Sequence, residues 1–117
     1  MKVLKIATLS LMAIGIIFFL ACTPATVTNG GAGKGKLLFN DVNFGAATSG
    51  KSCNSCHPDG KGLEKAGEKK EFTIMGQNQN SLEEAVNFCI EKALKGKAID
   101  TKSEDMVNIV AYIKSLK

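Results

Sequence analysis

Arginine and tryptophan are absent from the 117-residue chain, and histidine and tyrosine occur once each, as His57 and Tyr112. Without arginine there is no planar fork for bidentate capture of phosphate or carboxylate; all fifteen basic residues are lysines. With a net charge of only +4, this excludes nucleic acid as an expected partner. Beyond residue 21 the aromatic bulk is limited to Phe39, Phe44, Phe72, Phe88 and Tyr112. A domain of this size buries only roughly 60–65% of its unfolded surface, so a disulfide, metal or cofactor is expected to complete the core. The length also excludes a multidomain enzyme.

What the chain has in excess is an apolar run near its start. Lys2 and Lys5 form a positive flank, Ile6–Leu20 an apolar stretch and Ala21-Cys22 a small-residue junction, so residues 1–21 read as a secretory signal. Phe19-Leu20-Ala21-Cys22 resembles a bacterial lipobox, which implies lipidation of Cys22 and a lipoprotein held at a membrane in the periplasm or on the outer cell surface. A retained anchor, or ordinary cleavage near Ala21, is the alternative, and each carries the domain out of the cytoplasm. Loss of residues 1–21 leaves 96 residues and, with Lys2 and Lys5 gone, lowers the net charge from +4 to +2. Residues 22–34, rich in Thr, Gly and Ala, read as a flexible tether, and residues 35–117 as the domain.

Within the domain the apolar spacing is helical. Lys36–Asn40 forms a short first helix, and Asp41–Gly50 returns to loop chemistry. Ser81-Leu82-Glu83-Glu84 is a capping box, with Glu84 expected to reach back to Ser81. The helix it starts aligns Leu82, Ala85, Val86, Cys89 and Ala93, and Gly96 is expected to stop it in a left-handed conformation. Ser103 caps a last helix with Met106, Ile109, Val110 and Ile113 on one face. Gly60–Gly76 reads as a long loop, and nothing alternates as a strand. The expected fold class is all-α.

Cys53-Asn54-Ser55-Cys56-His57 is C-x-x-C-H, the attachment signature of c-type haem. Two intervening residues let both thiols reach the vinyl groups along one edge of the macrocycle, and the next side chain meets the iron. Cys53, Cys56 and His57 are therefore the expected cofactor-binding residues for one covalently attached haem c. A thioredoxin-like dithiol would need a preceding strand, and structural zinc on Cys53, Cys56, His57 and Cys89 would need two adjacent residues as tetrahedral ligands. A plain disulfide is the third alternative.

These features together resemble class I c-type cytochromes over Gly33–Lys117. The residues carrying the resemblance are Leu37-Leu38-Phe39, the Gly50-Lys51-Ser52-Cys53 approach and Ile109-Val110-Ala111-Tyr112-Ile113. It implies a small class I cytochrome c fold with three main helices around the haem. It also implies that the first and last helices cross through Gly35, Phe39, Ile109 and Tyr112. Pro58 directly follows His57, so the carbonyl that would receive the imidazole N–H is not assignable from sequence.

The second axial ligand does not follow the usual pattern, since Gly96–Lys102 contains no methionine and no second histidine exists. Cys89, Met75 and Met106 are the soft-sulfur candidates, with a lysine as a further alternative. Val86-Asn87-x-Cys89, Ala93-Leu94-x-Gly96-Lys97 and Ser103-Glu104-x-Met106 look like the haem domains of thiosulfate dehydrogenases and sulfur-oxidation cytochromes. That resemblance implies Cys89 as distal ligand, with Met75 as the alternative and Met106 as a helix residue. A thiolate lowers the potential and a thioether raises it. The expected function is one-electron transfer between redox partner proteins. The alternatives are an enzyme or subunit oxidising thiosulfate or a related sulfur compound at a Cys-ligated haem, and a haem-based gas sensor.

Overall fold

The computed structural model describes residues 31–117, so the signal, Cys22 and most of the tether lie outside the described residues. Among the described residues four α-helices follow one another: α1 (Ala32–Asn40), α2 (Cys53–Cys56), α3 (Leu82–Lys92) and α4 (Glu104–Ser115). α2 is a single turn, so the helical frame is three longer helices plus the turn that bears the Cys-x-x-Cys-His motif. α1 starts three residues ahead of the expected domain boundary, because Ala32-Gly33-Lys34 is wound into the helix.

α1 and α4 cross where side chains vanish. A Cβ on Gly35 would overlap the Asn108 carbonyl, so only glycine permits the two backbones to approach this closely. One turn on, Phe39 meets Tyr112 edge to face with ring centroids 5.1 Å apart and an interplanar angle of 62°. Phe39, Ile90, Met106 and Ile109 are the largest fully buried side chains and join α1, α3 and α4 in one core.

The helix starts obey local chemistry. Ser103 Oγ accepts from Met106 N at 3.2 Å, and Ser81 Oγ accepts from Glu84 N at 3.1 Å. Glu84 reaches back one residue further than the capping box implies, taking the Asn80 N–H at 2.9 Å. At the far end of α3 the left-handed residue is Lys95 (φ 56°), not Gly96. Gly96 is required for another reason: a Cβ there would collide with the Gly45 carbonyl, at the point where Lys97 N donates to Gly45 O at 2.6 Å.

The segment expected as a long loop, Gly60–Gly76, ends in the first strand and turn of a small hairpin whose second strand follows directly. β1 (Phe72–Ile74) and β2 (Gln77–Gln79) pair antiparallel, Phe72 opposite Gln79 and Ile74 opposite Gln77. Met75 and Gly76 form the two-residue turn with φ of 51° and 77°, both left-handed as a type I′ hairpin demands. Three residues per strand are too few for alternation to register in a sequence, which is why the periodicity missed it.

Candidate haem site

The motif is held by a serine brace. Ser52, buried, precedes α2, and Ser55 Oγ accepts from Ser52 N at 3.0 Å while the two hydroxyls lie 3.4 Å apart. Both serines flank or fill the variable positions of the motif, and their hydrogen bonds fix the turn that aims Cys53 and Cys56.

His57 closes α2 and is oriented from behind. Its Nδ1 lies 3.0 Å from the carbonyl oxygen of Lys61, so that nitrogen carries the proton and donates, leaving Nε2 free to act as a ligand. Lys61 is thus the residue whose carbonyl the sequence could not name. It arrives there through successive tight turns: Gly60 N donates to His57 O, Lys61 N to Pro58 O and Leu63 N to Gly60 O. Glu64 Oε2 accepts from Gly62 N at 2.9 Å, and backbone N–H groups hold its carboxyl below the usual carboxylate range.

In front of the motif lies a cavity of about 460 Å³. Its floor is Phe39, Leu94, Ile109 and Ile113, and α3 contributes Leu82, Val86 and Cys89. The β-hairpin supplies a further wall with Phe72, Ile74 and Met75, and Leu63 and Ala66 close the side after His57. Cys53, Cys56 and His57 line the same space. Apart from this group and Ser52, its polar side chains are Lys69, Glu71 and Thr73.

The three thiols are free, with no disulfide among the described residues. Burial pushes the Cys53 thiol up to about 11, with a smaller contribution from Cys89. Burial, then the neighbouring Cys56, also raises Cys89. All three cysteines line the one cavity. Among the described residues no three His, Cys, Asp or Glu side chains converge as a bare metal site needs, which disfavours structural zinc.

The donor set fits a covalently attached haem. Two thiols sit one helical turn apart, an imidazole has its outer nitrogen tied to a carbonyl, and a largely apolar cavity opens beside them. Of the distal candidates, Cys89 is half-buried on α3 in the cavity wall, and Met75 is at the hairpin tip, 73% exposed. Met106 is fully buried in the core and does not line the cavity.

A family model described as SoxA/TsdA, cytochrome c domain, matches residues 34–116. Among solved structures, the crystal structure of SoxXA from P. pantotrophus is similar with a TM-score of 0.55 at 20% identity. The alignment covers 71% of this chain and 31% of that one. No curated protein sequence matches.

Proposed function

The chain belongs to the SoxA/TsdA cytochrome c domain family and binds covalently attached haem c, and from that premise we propose that it is an exported carrier of single electrons between redox protein partners. The observation that carries this reading is that the Cys-x-x-Cys-His turn and Cys89 face one apolar cavity. When bound, the haem supplies reversible one-electron exchange; the polypeptide supplies attachment, ligation and a dry surround.

In this reading Cys53 and Cys56 form the thioethers, and His57 Nε2 is the proximal ligand. The Lys61 carbonyl holds the imidazole in the required tautomer and raises its basicity. Cys89 is the distal ligand, supported by its half-buried place in the cavity wall, and exposed Met75 is the alternative. Phe72 and Ile74 of the hairpin, with Val86 of α3, shield the cavity from water. Lipidation at Cys22 would hold the domain at a membrane on the far side of export.

Protein matured in a periplasm is expected to exceed its polypeptide mass by one haem, and the double variant Cys53→Ala/Cys56→Ala to lose that increment. An intact mass equal to the bare polypeptide would end the reading. A Cys22→Ala variant should lose incorporation of labelled palmitate; unchanged labelling would refute the lipid anchor.

The family match and Cys89 also favour a second reading, oxidation of thiosulfate or a related sulfur compound at this haem. The two separate by rate: the carrier exchanges electrons rapidly with a second cytochrome and does not turn over thiosulfate, whereas the enzyme reduces an acceptor only when thiosulfate is present.

A further inference from the structure

Asn54 occupies the first variable position of the haem motif, where the attachment chemistry makes no demand on residue type. Yet its Oδ1 accepts from the Asp59 N–H at 2.8 Å, spanning from α2 to the corner beyond His57. That corner is unusual backbone. His57 is followed by Pro58, which has no N–H, and then by Asp59 and Gly60, both left-handed with φ of 51° and 80°. A non-glycine residue in this region needs its surroundings to hold it there.

The same corner delivers the Lys61 carbonyl to His57 Nδ1. Gly60 N donates to His57 O at 2.8 Å and Lys61 N to Pro58 O at 3.0 Å, so the carbonyl's position follows from the turn that begins at Asp59. Neither bond ties the corner to the body of α2. Asn54 does, and it is the side chain that fastens the base of this loop to the helix that presents the imidazole. Gly62 (φ 88°) is also left-handed, and a Cβ there would make only an ordinary contact, 3.7 Å from His57 Nδ1, so no side chain at this position holds the imidazole.

We propose that Asn54 is a positioning residue for the proximal ligand, clamping the Pro58–Lys61 turn so that the Lys61 carbonyl stays on the His57 Nδ1–H. The proposal rests on His57 being the proximal ligand. A firmly held Nδ1–H···O bond gives the imidazole more electron density, favours ferric iron and lowers the reduction potential. Loosening the clamp raises it.

The test uses the haem-loaded protein and two readouts, the hydrogen-exchange rate of the His57 Nδ1 proton in its hyperfine-shifted NMR signal and the reduction potential. Asn54→Ala is expected to speed that exchange on the order of tenfold, the effect of losing one hydrogen bond that restrains the loop, and to raise the potential. Asn54→Asp keeps an acceptor for the Asp59 N–H and is expected to restore slow exchange. Exchange and potential both unchanged in Asn54→Ala would overturn the clamp. So would a wild-type Nδ1 proton that exchanges as fast as that of free imidazole, a result that stands even if Asn54→Ala fails to mature. A haem-loaded protein with no hyperfine-shifted His57 ring signal would instead overturn the ligand assignment on which the clamp rests.

Discussion

Single residues decide how closely the parts of this molecule approach. Gly35 is the clearest case, since any Cβ there meets the α4 backbone and not a side chain that could swing away. Gly35→Ala is expected to destabilise the haem-loaded protein by about 3 kcal/mol, the upper range for overpacking a well-fitted contact, as read by denaturant unfolding. Met106 provides the contrast. It is fully buried but off the cavity, so Met106→Leu should leave the visible spectrum of the loaded protein unchanged and cost less than about 1.5 kcal/mol. A spectrum altered by that substitution would mean that Met106 reaches the iron. The Lys61 carbonyl belongs at this scale too, because a backbone atom carries the tautomer of the one histidine and leaves no trace in residue type.

At the scale of elements, Asn87 is the side chain of α3 that hydrogen-bonds the loop from Ala93 to Ser103. Its Nδ2 donates to Ile99 O at 2.8 Å, and its Oδ1 accepts from Ile99 N at 2.9 Å. Asn87→Ala removes both and is expected to cost about 2 kcal/mol, measured as a lower midpoint of unfolding. The β-hairpin is the more exposed wall of the cavity, and its turn depends on Gly76. Gly76→Val should loosen that wall and speed carbon monoxide binding to the ferrous protein, followed by stopped flow; an unchanged rate would show that the hairpin does not gate access. The helices were legible in the sequence because Ser81 and Ser103 cap them and their apolar spacing runs for three turns. The haem motif was legible because its chemistry demands fixed spacing. The hairpin was not, since Met75-Gly76 between two three-residue strands carries too short a pattern, and the one turn signal is Gly76 shortly after the β-rich Phe72-Thr73-Ile74. The left-handed position after α3 falls one residue before the glycine that signals it in the sequence, because Gly96 answers to close approach to Gly45 and not to backbone conformation.

The described residues form a small helical frame in which Phe39 and Tyr112 mark the α1–α4 crossing and Phe39 and Phe72 line the attachment cavity. Phe39 serves both, touching Tyr112 on one side and flooring the cavity on the other. The core is thus continuous with the cofactor site, and loss of haem attachment should be a loss of fold stability as well as of function. Residues 22–117 carry a net charge of only +2, so electrostatic steering of a partner is weak, and the rate of electron exchange is expected to fall only modestly between low and physiological salt. In the proposed ligation, what distinguishes this frame from a higher-potential carrier is the Cys89 thiolate on α3. Low-temperature electron paramagnetic resonance of the ferric, periplasm-matured protein reads that sulfur directly. The expected result is a low-spin thiolate signal that disappears in Cys89→Ala and persists in Met75→Leu; a thioether signal that survives Cys89→Ala and is lost in Met75→Leu would contradict it.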